Sequence, residues 1–248
     1  MVATALTLTE HLEGLRTAHL GFVRAAERAG LKAMVPTTPA WTVRKLVAHQ
    51  GMVHRWAAGI ITGQQVDPDA VQDQGQVSPD PLEWLTDGVV DLAAAISSAP
   101  DDLDALVFLA DAPPAKRFWA RRQCHETTIH AVDALAAALG RYPRAADTWI
   151  TDEVALDGID ELLTGFLPRP RSRLRSEESL TIAVAPTGLA VGWEVRVSAE
   201  PPVTVRTPEP RGDVLLSGSP GALYLTLWNR SDEVKLPDAW ADSAITWN

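Results

Sequence analysis

The sequence has little cysteine, no excess of basic residues and no long run of apolar residues. A single cysteine, Cys124, excludes an internal disulfide and a zinc site built from cysteines. The 22 Lys and Arg residues are outnumbered by 32 Asp and Glu, and the resulting net charge of −10 argues against a general nucleic-acid binder. No stretch approaches the roughly 18 apolar residues that a membrane-spanning helix needs. We therefore expect a soluble protein with no nucleic-acid or membrane partner.

The chain has 248 residues, of which 46% are apolar, and this is enough for one or two domains with a buried core. The first ten residues lack a basic segment followed by a long apolar one. We therefore expect no signal peptide and a cytoplasmic location.

The first part of the chain has the apolar spacing of helices. Thr7 and Glu10 form a capping-box pattern at the start of the first predicted helix, and Thr42 is a suitable cap for the second. We interpret the polar residues 63–81 as a loop. Four long helices with one such connection predict a helical bundle. The predicted helices cover residues 7–31, 42–61, 82–98 and 113–140, with a shorter fifth over 152–166.

The apolar period changes from 3.6 to 2 after an Arg/Pro/Ser-rich linker at 168–176. Short strands are predicted to begin at Leu180, Trp193, Val203 and Val214. Helices are predicted over 220–228 and, more weakly, over 239–245. The sequence thus predicts an α+β protein of two domains, with a helical bundle in residues 1–150 and a small α/β domain in residues 151–248.

Three residues of the predicted bundle suit a metal ion. Glu126 and His130 are four apart on one helix, so their side chains lie on the same face. His49 lies on the apolar stripe of the second helix and should point inward. Two imidazoles and one carboxylate with an open fourth position are a common catalytic zinc set, and bundle cores often hold such sites.

The alternative is that these residues are structural. Most Glu–His pairs at this spacing are surface hydrogen-bonded pairs, and a single inward histidine is more often a satisfied core residue than a ligand. His54 and His125 are five residues from His49 and His130 respectively, about 140° away around the helix, so they should support the site or be partly exposed. His11 and His19 are interpreted as ordinary helix residues, and Cys124 as a packing residue.

Four segments resemble the mycothiol-dependent maleylpyruvate isomerase family, and they cover nearly the whole chain in the expected order. The first, Trp41-Thr-Val-Arg-Lys-Leu-Val-Ala-His49, is similar to the signature of the family's second helix. The others are the segments 121–134, with Cys-His-Glu-Thr-Thr-Ile-His at its centre, 157–168 and 218–230.

The resemblance implies a DinB-like four-helix bundle followed by a small α/β domain similar to sterol-carrier domains. It implies a divalent metal, with zinc expected, held by His49, Glu126 and His130, and mycothiol as the thiol cofactor or co-substrate. The metal would favour the thiolate, which attacks a small electrophile such as a maleylpyruvate-like acid. The chain departs from the family pattern at Ala131, where an arginine often follows the second ligand histidine.

The resemblance also implies that Arg230 is a catalytic residue that holds the acidic substrate, because a guanidinium suits a carboxylate. The alternative role for Arg230 is to cap its own helix. The function expected is a metal- and thiol-dependent isomerase or S-transferase, acting as a monomer or homodimer. A metal hydrolase that uses zinc-bound water and a non-catalytic small-molecule binding protein remain alternatives.

Overall fold

The structure is a computed structural model that describes residues 6–241, and it divides into two compact units. The first, here called the bundle unit, comprises residues 7–107 and 113–143. The second, called the α/β unit, comprises residues 108–112 and the chain from 144 onward. The described residues contain no helix that is both long enough and apolar enough to span a membrane. The predicted α+β architecture is confirmed.

The bundle unit has five helices, because the segment expected to be a loop contains one of them. α1 packs on α5, and α2 packs on α3 and α4. The caps are those that the sequence indicates: Thr7 and Glu10 form a complete capping box, and the Thr42 hydroxyl accepts from the Lys45 amide. The helices are α1 Leu8–Ala29, α2 Val43–Thr62, α3 Pro68–Val77, α4 Pro81–Ser98 and α5 Ala115–Leu139.

The prediction of a loop over residues 63–81 is wrong, and the reason lies in capping and packing. The Asp67 carboxylate accepts from backbone amides of the first turn of α3, and Pro68 occupies a starting position that suits proline. The Trp84 ring lies against Gly75 of α3 and Gly51 of α2, where an added Cβ would clash with it. These two glycines allow a polar helix, which lacks a strong apolar stripe of its own, to dock closely.

α5 is buried on almost every side, so it shows little of the amphipathic pattern that predicts a helix face. Its buried polar side chains include Arg122, Glu126, His130 and Asp133. A buried helix normally carries apolar residues all round. The polar groups of α5 must therefore find partners inside the protein, because leaving them unpaired would cost free energy.

The α/β unit is built on a four-stranded sheet in the order β3-β2-β1-β4. β1 pairs antiparallel with β2 and parallel with β4, and β2 pairs antiparallel with β3. All four strands lie where the two-residue period predicts them. The elements are α6 Asp152–Asp160, a π-helical segment Glu161–Phe166, β1 Leu180–Pro186, β2 Gly192–Val197, β3 Val203–Thr207, β4 Val214–Gly218, α7 Pro220–Leu227 and α8 Asp238–Ala241.

The predicted helix 152–166 is continuous, but its second half has π-helical geometry. The predicted helix 220–228 corresponds to α7. Of the segment 239–245, residues up to 241 belong to α8, and the remainder lies outside the described residues.

Candidate metal centre

The structure brings His49, Glu126 and His130 together inside the bundle unit. One ligand-type atom from each residue lies within 4.8 Å of the other two. The Glu126 Oε1 atom is 3.3 Å from Nε2 of His130 and 4.0 Å from Nε2 of His49. α5 supplies two of these groups from positions one turn apart, and α2 supplies the third from a facing helix.

Access to this cluster is one-sided. The side chain of His49 is 21% exposed, whereas those of Glu126 and His130 are 2% and 6% exposed. The indole of Trp41, just before α2, lies 4.8 Å from the His49 ring and is stacked 6.1 Å from the His130 ring, between centroids. Trp41 therefore forms an aromatic wall along the two imidazoles.

Asp133 orients His130. Nδ1 of His130 is 2.9 Å from Asp133 Oδ2, and the hydroxyl of Thr37 donates to Oδ1 of the same carboxylate at 2.5 Å. When the ring is neutral, a hydrogen bond from Nδ1–H to a carboxylate leaves the lone pair on Nε2. That Nε2 atom is fully buried and makes no hydrogen bond of good geometry.

The other two members of the cluster also have oriented partners. Nη2 of Arg122 donates to Glu126 Oε2 at 3.2 Å, so Oε1 is the oxygen left to face the histidines. Oε1 of Gln72, on α3, lies 3.4 Å from Nδ1 of His49 and is placed to accept from it. Each of the three candidate ligands thus directs one donor atom inward while a neighbour holds its other end.

The pKa of each residue in the cluster depends on the charges of its neighbours. Burial, helped by the charge of His130, lowers the pKa of His49 to about 4. Burial also disfavours the charged form of His130, but Glu126 and Asp133 outweigh it and raise the pKa of His130 to about 9. Burial opposes the charge of Glu126, yet His130 and Arg122 hold its pKa below the usual range. The metal-free cluster therefore contains a Glu126–His130 ion pair beside a neutral His49.

The remaining histidines do not join this cluster. Nε2 of His54 lies 2.8 Å from the Gln50 amide and 2.9 Å from the Thr127 hydroxyl. His54 and His125 are fully buried, so of the two roles expected for them partial exposure is wrong. Cys124 is buried as well, in agreement with a packing role.

Sequence reasoning missed several residues that hold the site. Asp133 and Arg122 are three and four positions from a candidate ligand on the same helix, a spacing that could have revealed both. Thr37 and Gln72 carry no such signal, because they approach from a loop and from the helix that was interpreted as a loop. Trp41 begins the segment that resembles the family's second helix, but the sequence assigns it no role in the site.

Arg230 lies in the α/β unit, after the end of α7. Its Nη1 atom donates to the carbonyl oxygen of Trp228 at 2.8 Å. This contact is of the capping kind that the sequence offered as the alternative role for Arg230. A role in holding substrate stays a prediction.

The fold and the site together define a helical bundle with a buried His–Glu–His donor set, joined in sequence to a small α/β unit. Two family profiles match this chain: mycothiol maleylpyruvate isomerase N-terminal domain over residues 12–135, and MDMPI C-terminal domain over residues 153–243. The chain belongs to the mycothiol-dependent maleylpyruvate isomerase family. The resemblance found in the sequence is confirmed.

Solved structures with a similar fold include a mycothiol-dependent maleylpyruvate isomerase, at 17% identity and a TM-score of 0.63. A histidine-to-alanine mutant of a mycothiol-dependent maleylpyruvate isomerase matches at 16% identity with the same TM-score. Each match covers 94% of this chain and 96% of the other. At this identity the likeness establishes the shared fold. A comparison with curated proteins finds no significant match.

Proposed function

We propose that this protein is a metal- and mycothiol-dependent isomerase or S-transferase that acts on a small electrophile such as a maleylpyruvate-like acid. The observation that carries the proposal is the convergence of three donor atoms within 4.8 Å, from two facing helices of the bundle unit. Membership of an isomerase family, and a fold shared with a mycothiol-dependent maleylpyruvate isomerase, support it.

The residues present fit a divalent metal. Two imidazole nitrogens and one carboxylate oxygen form a donor set that suits zinc and related ions. The buried Nε2 of His130 makes no hydrogen bond of good geometry although it faces a carboxylate oxygen 3.3 Å away. Because Asp133 holds Nδ1–H, Nε2 of the neutral ring carries the lone pair that a metal ion would bind.

A divalent metal held by His49, Glu126 and His130 would supply Lewis-acid chemistry and lower the pKa of a thiol. The protein's own residues prepare for this. Asp133 and Gln72 orient the two imidazoles, and Arg122 neutralises the oxygen of Glu126 that faces away from the cluster. The Trp41 indole and the surrounding core limit water to the side on which His49 is exposed.

The experiment that tests the proposal is elemental analysis of the purified protein, combined with turnover assays with and without thiol. We expect about one divalent metal per chain in the wild type and its loss in His49→Ala, Glu126→Gln and His130→Ala. His19→Gln is the matched control, because His19 is a buried histidine on α1 outside the cluster.

Turnover of an electrophilic acid is expected to need both metal and thiol. Metal-dependent turnover in the absence of any thiol would contradict the proposal and favour the hydrolase alternative. A wild-type protein that takes up neither zinc nor nickel would remove the catalytic interpretation altogether.

A further inference from the structure

Lys45 places a positive charge against the indole that borders the metal-ligand candidates. It lies one turn before His49 on α2, and residues four apart on a helix have their Cβ atoms about 6 Å from each other on the same face. Its ammonium is 5.1 Å from the centroid of the Trp41 ring. The same indole lies against the rings of His49 and His130. The ammonium and the donor atoms thus share one aromatic wall.

This ammonium has no acidic partner among the described residues, although acidic residues outnumber basic ones in the chain. Lys45 is half-buried, so water compensates its charge only in part. Lys116 is the other half-buried lysine among the described residues, and its ammonium lies 2.9 Å from a carboxylate oxygen of Asp101. The difference indicates that the charge of Lys45 is available to an anion from outside the protein.

The neighbouring cations are already engaged. Arg122 donates to Glu126, and Arg44 donates to the carbonyl oxygens of Gln76 and Ser78. The residue that follows His130 is Ala131, which is small, apolar and buried, so α5 offers no cation at that position. Lys45 therefore remains as the cation on α2 whose charge faces the aromatic wall without a protein counter-charge.

We propose that Lys45 and Trp41 form a carboxylate-binding subsite that holds the acidic end of a small unsaturated acid beside the metal centre. The ammonium neutralises the carboxylate, and the indole face packs against the planar unsaturated chain. The inference rests on the proposed function and adds to it the two residues that bind the carboxylate of the acid.

The test measures binding of maleate by isothermal titration calorimetry, with dimethyl maleate as its uncharged counterpart and no thiol present. Zinc-loaded and metal-free protein are both titrated. Lys45→Met should weaken maleate binding about tenfold in both forms. The affinity for dimethyl maleate should stay within about twofold of the wild-type value. Lys45→Arg, which keeps the charge, should retain maleate binding within a few-fold of the wild type.

Lys116→Met is the matched control, because it removes the same charge from the same unit at a lysine paired with Asp101. It should bind maleate as the wild type does. Thermal melting of each variant verifies that it is folded. A folded Lys45→Met protein that binds maleate as tightly as the wild type would overturn the subsite, as would an equal loss in Lys116→Met.

These results separate the subsite from the proposed function. If metal uptake and thiol-dependent turnover are present but Lys45→Met changes nothing, the subsite fails and the proposed function stands. If the wild type takes up no metal but metal-free protein binds maleate through Lys45, the subsite stands and the proposed function fails.

Discussion

Both units bury charged residues, but they do so in opposite ways. In the α/β unit, Asp160 accepts from the Trp193 indole at 2.9 Å and from Arg206 at 2.5 Å, and Arg206 is also 2.7 Å from Asp111. In the bundle unit, the donor atoms of His49, Glu126 and His130 face one another with their outer ends held. In the first network the buried carboxylate is paired with donors from the same unit. In the second, one nitrogen or oxygen atom of each residue points toward a common position where a metal ion could bind. Burial of charge alone therefore does not mark a functional site.

The network around Asp160 should contribute to stability and not to metal binding. Asp160→Ala removes the acceptor of a buried indole N–H and the main partner of Arg206, and we expect it to cost about 3 kcal/mol in the free energy of unfolding. Chemical denaturation measures this loss, and elemental analysis should find the metal content unchanged. Asp111→Asn is the control: the carboxylate is largely exposed and asparagine tolerates the positive φ of 48° at this position, so the cost should stay below about 1 kcal/mol.

A substitution that disturbs the cluster of His49, Glu126 and His130 should instead change metal affinity more than stability. Asp133→Asn keeps the size of the side chain but weakens its hold on Nδ1 of His130, so we expect metal affinity to fall about 10- to 100-fold. Competition with a chromophoric chelator measures the affinity. An unchanged metal affinity, or a loss of stability as large as that of Asp160→Ala, would remove the contrast between the two networks.

Metal affinity should also depend on pH in a direction set by His130. Its pKa of about 9 in the metal-free protein means that the ring must lose a proton before it can bind a metal. Affinity should therefore rise about tenfold per pH unit from near neutrality and level off above pH 9. His49, with a pKa of about 4, is already neutral and adds no dependence in this range.

The stability of the metal-free protein should change in the opposite sense. A pKa raised from 6.5 to about 9 contributes stability that is complete below pH 6.5 and is lost as the pH rises through 9. Chelator competition and thermal melting from pH 6 to 10 measure both trends. A metal affinity that is flat from pH 7 to 9 would contradict this account of His130.

The smallest effect is expected at Gln72. Gln72→Leu removes the acceptor that lies 3.4 Å from Nδ1 of His49, and because this bond is long we expect metal affinity to fall by less than about tenfold. Chelator competition under the conditions used for Asp133→Asn gives the comparison. A loss larger than that of Asp133→Asn would mean that α3 has a greater part in building the site than its geometry indicates.

Much of the fold could be predicted because local spacing determines it. The helical period, the caps at Thr7 and Thr42 and the two-residue alternation of the strands all locate their elements correctly. α3 was missed because its sequence is polar and lacks an apolar stripe. Asp67 and Pro68 mark its start locally, but its position depends on the contact of Gly75 with Trp84, a residue on another helix, and no local pattern encodes that contact.

The sequence by itself determined which groups share a helix face. Glu126 and His130 lie four apart, and Asp133 lies within one turn of His130, so the regular rise of the α-helix places them together. The apolar stripe of α2 predicted that His49 points inward. The tertiary structure alone decided how close it comes to these groups, that Gln72 and Thr37 hold the outer atoms of the cluster, and that Trp41 covers two imidazoles. Most of these contacts join residues far apart in the chain, and only the packing of whole helices brings their side chains together.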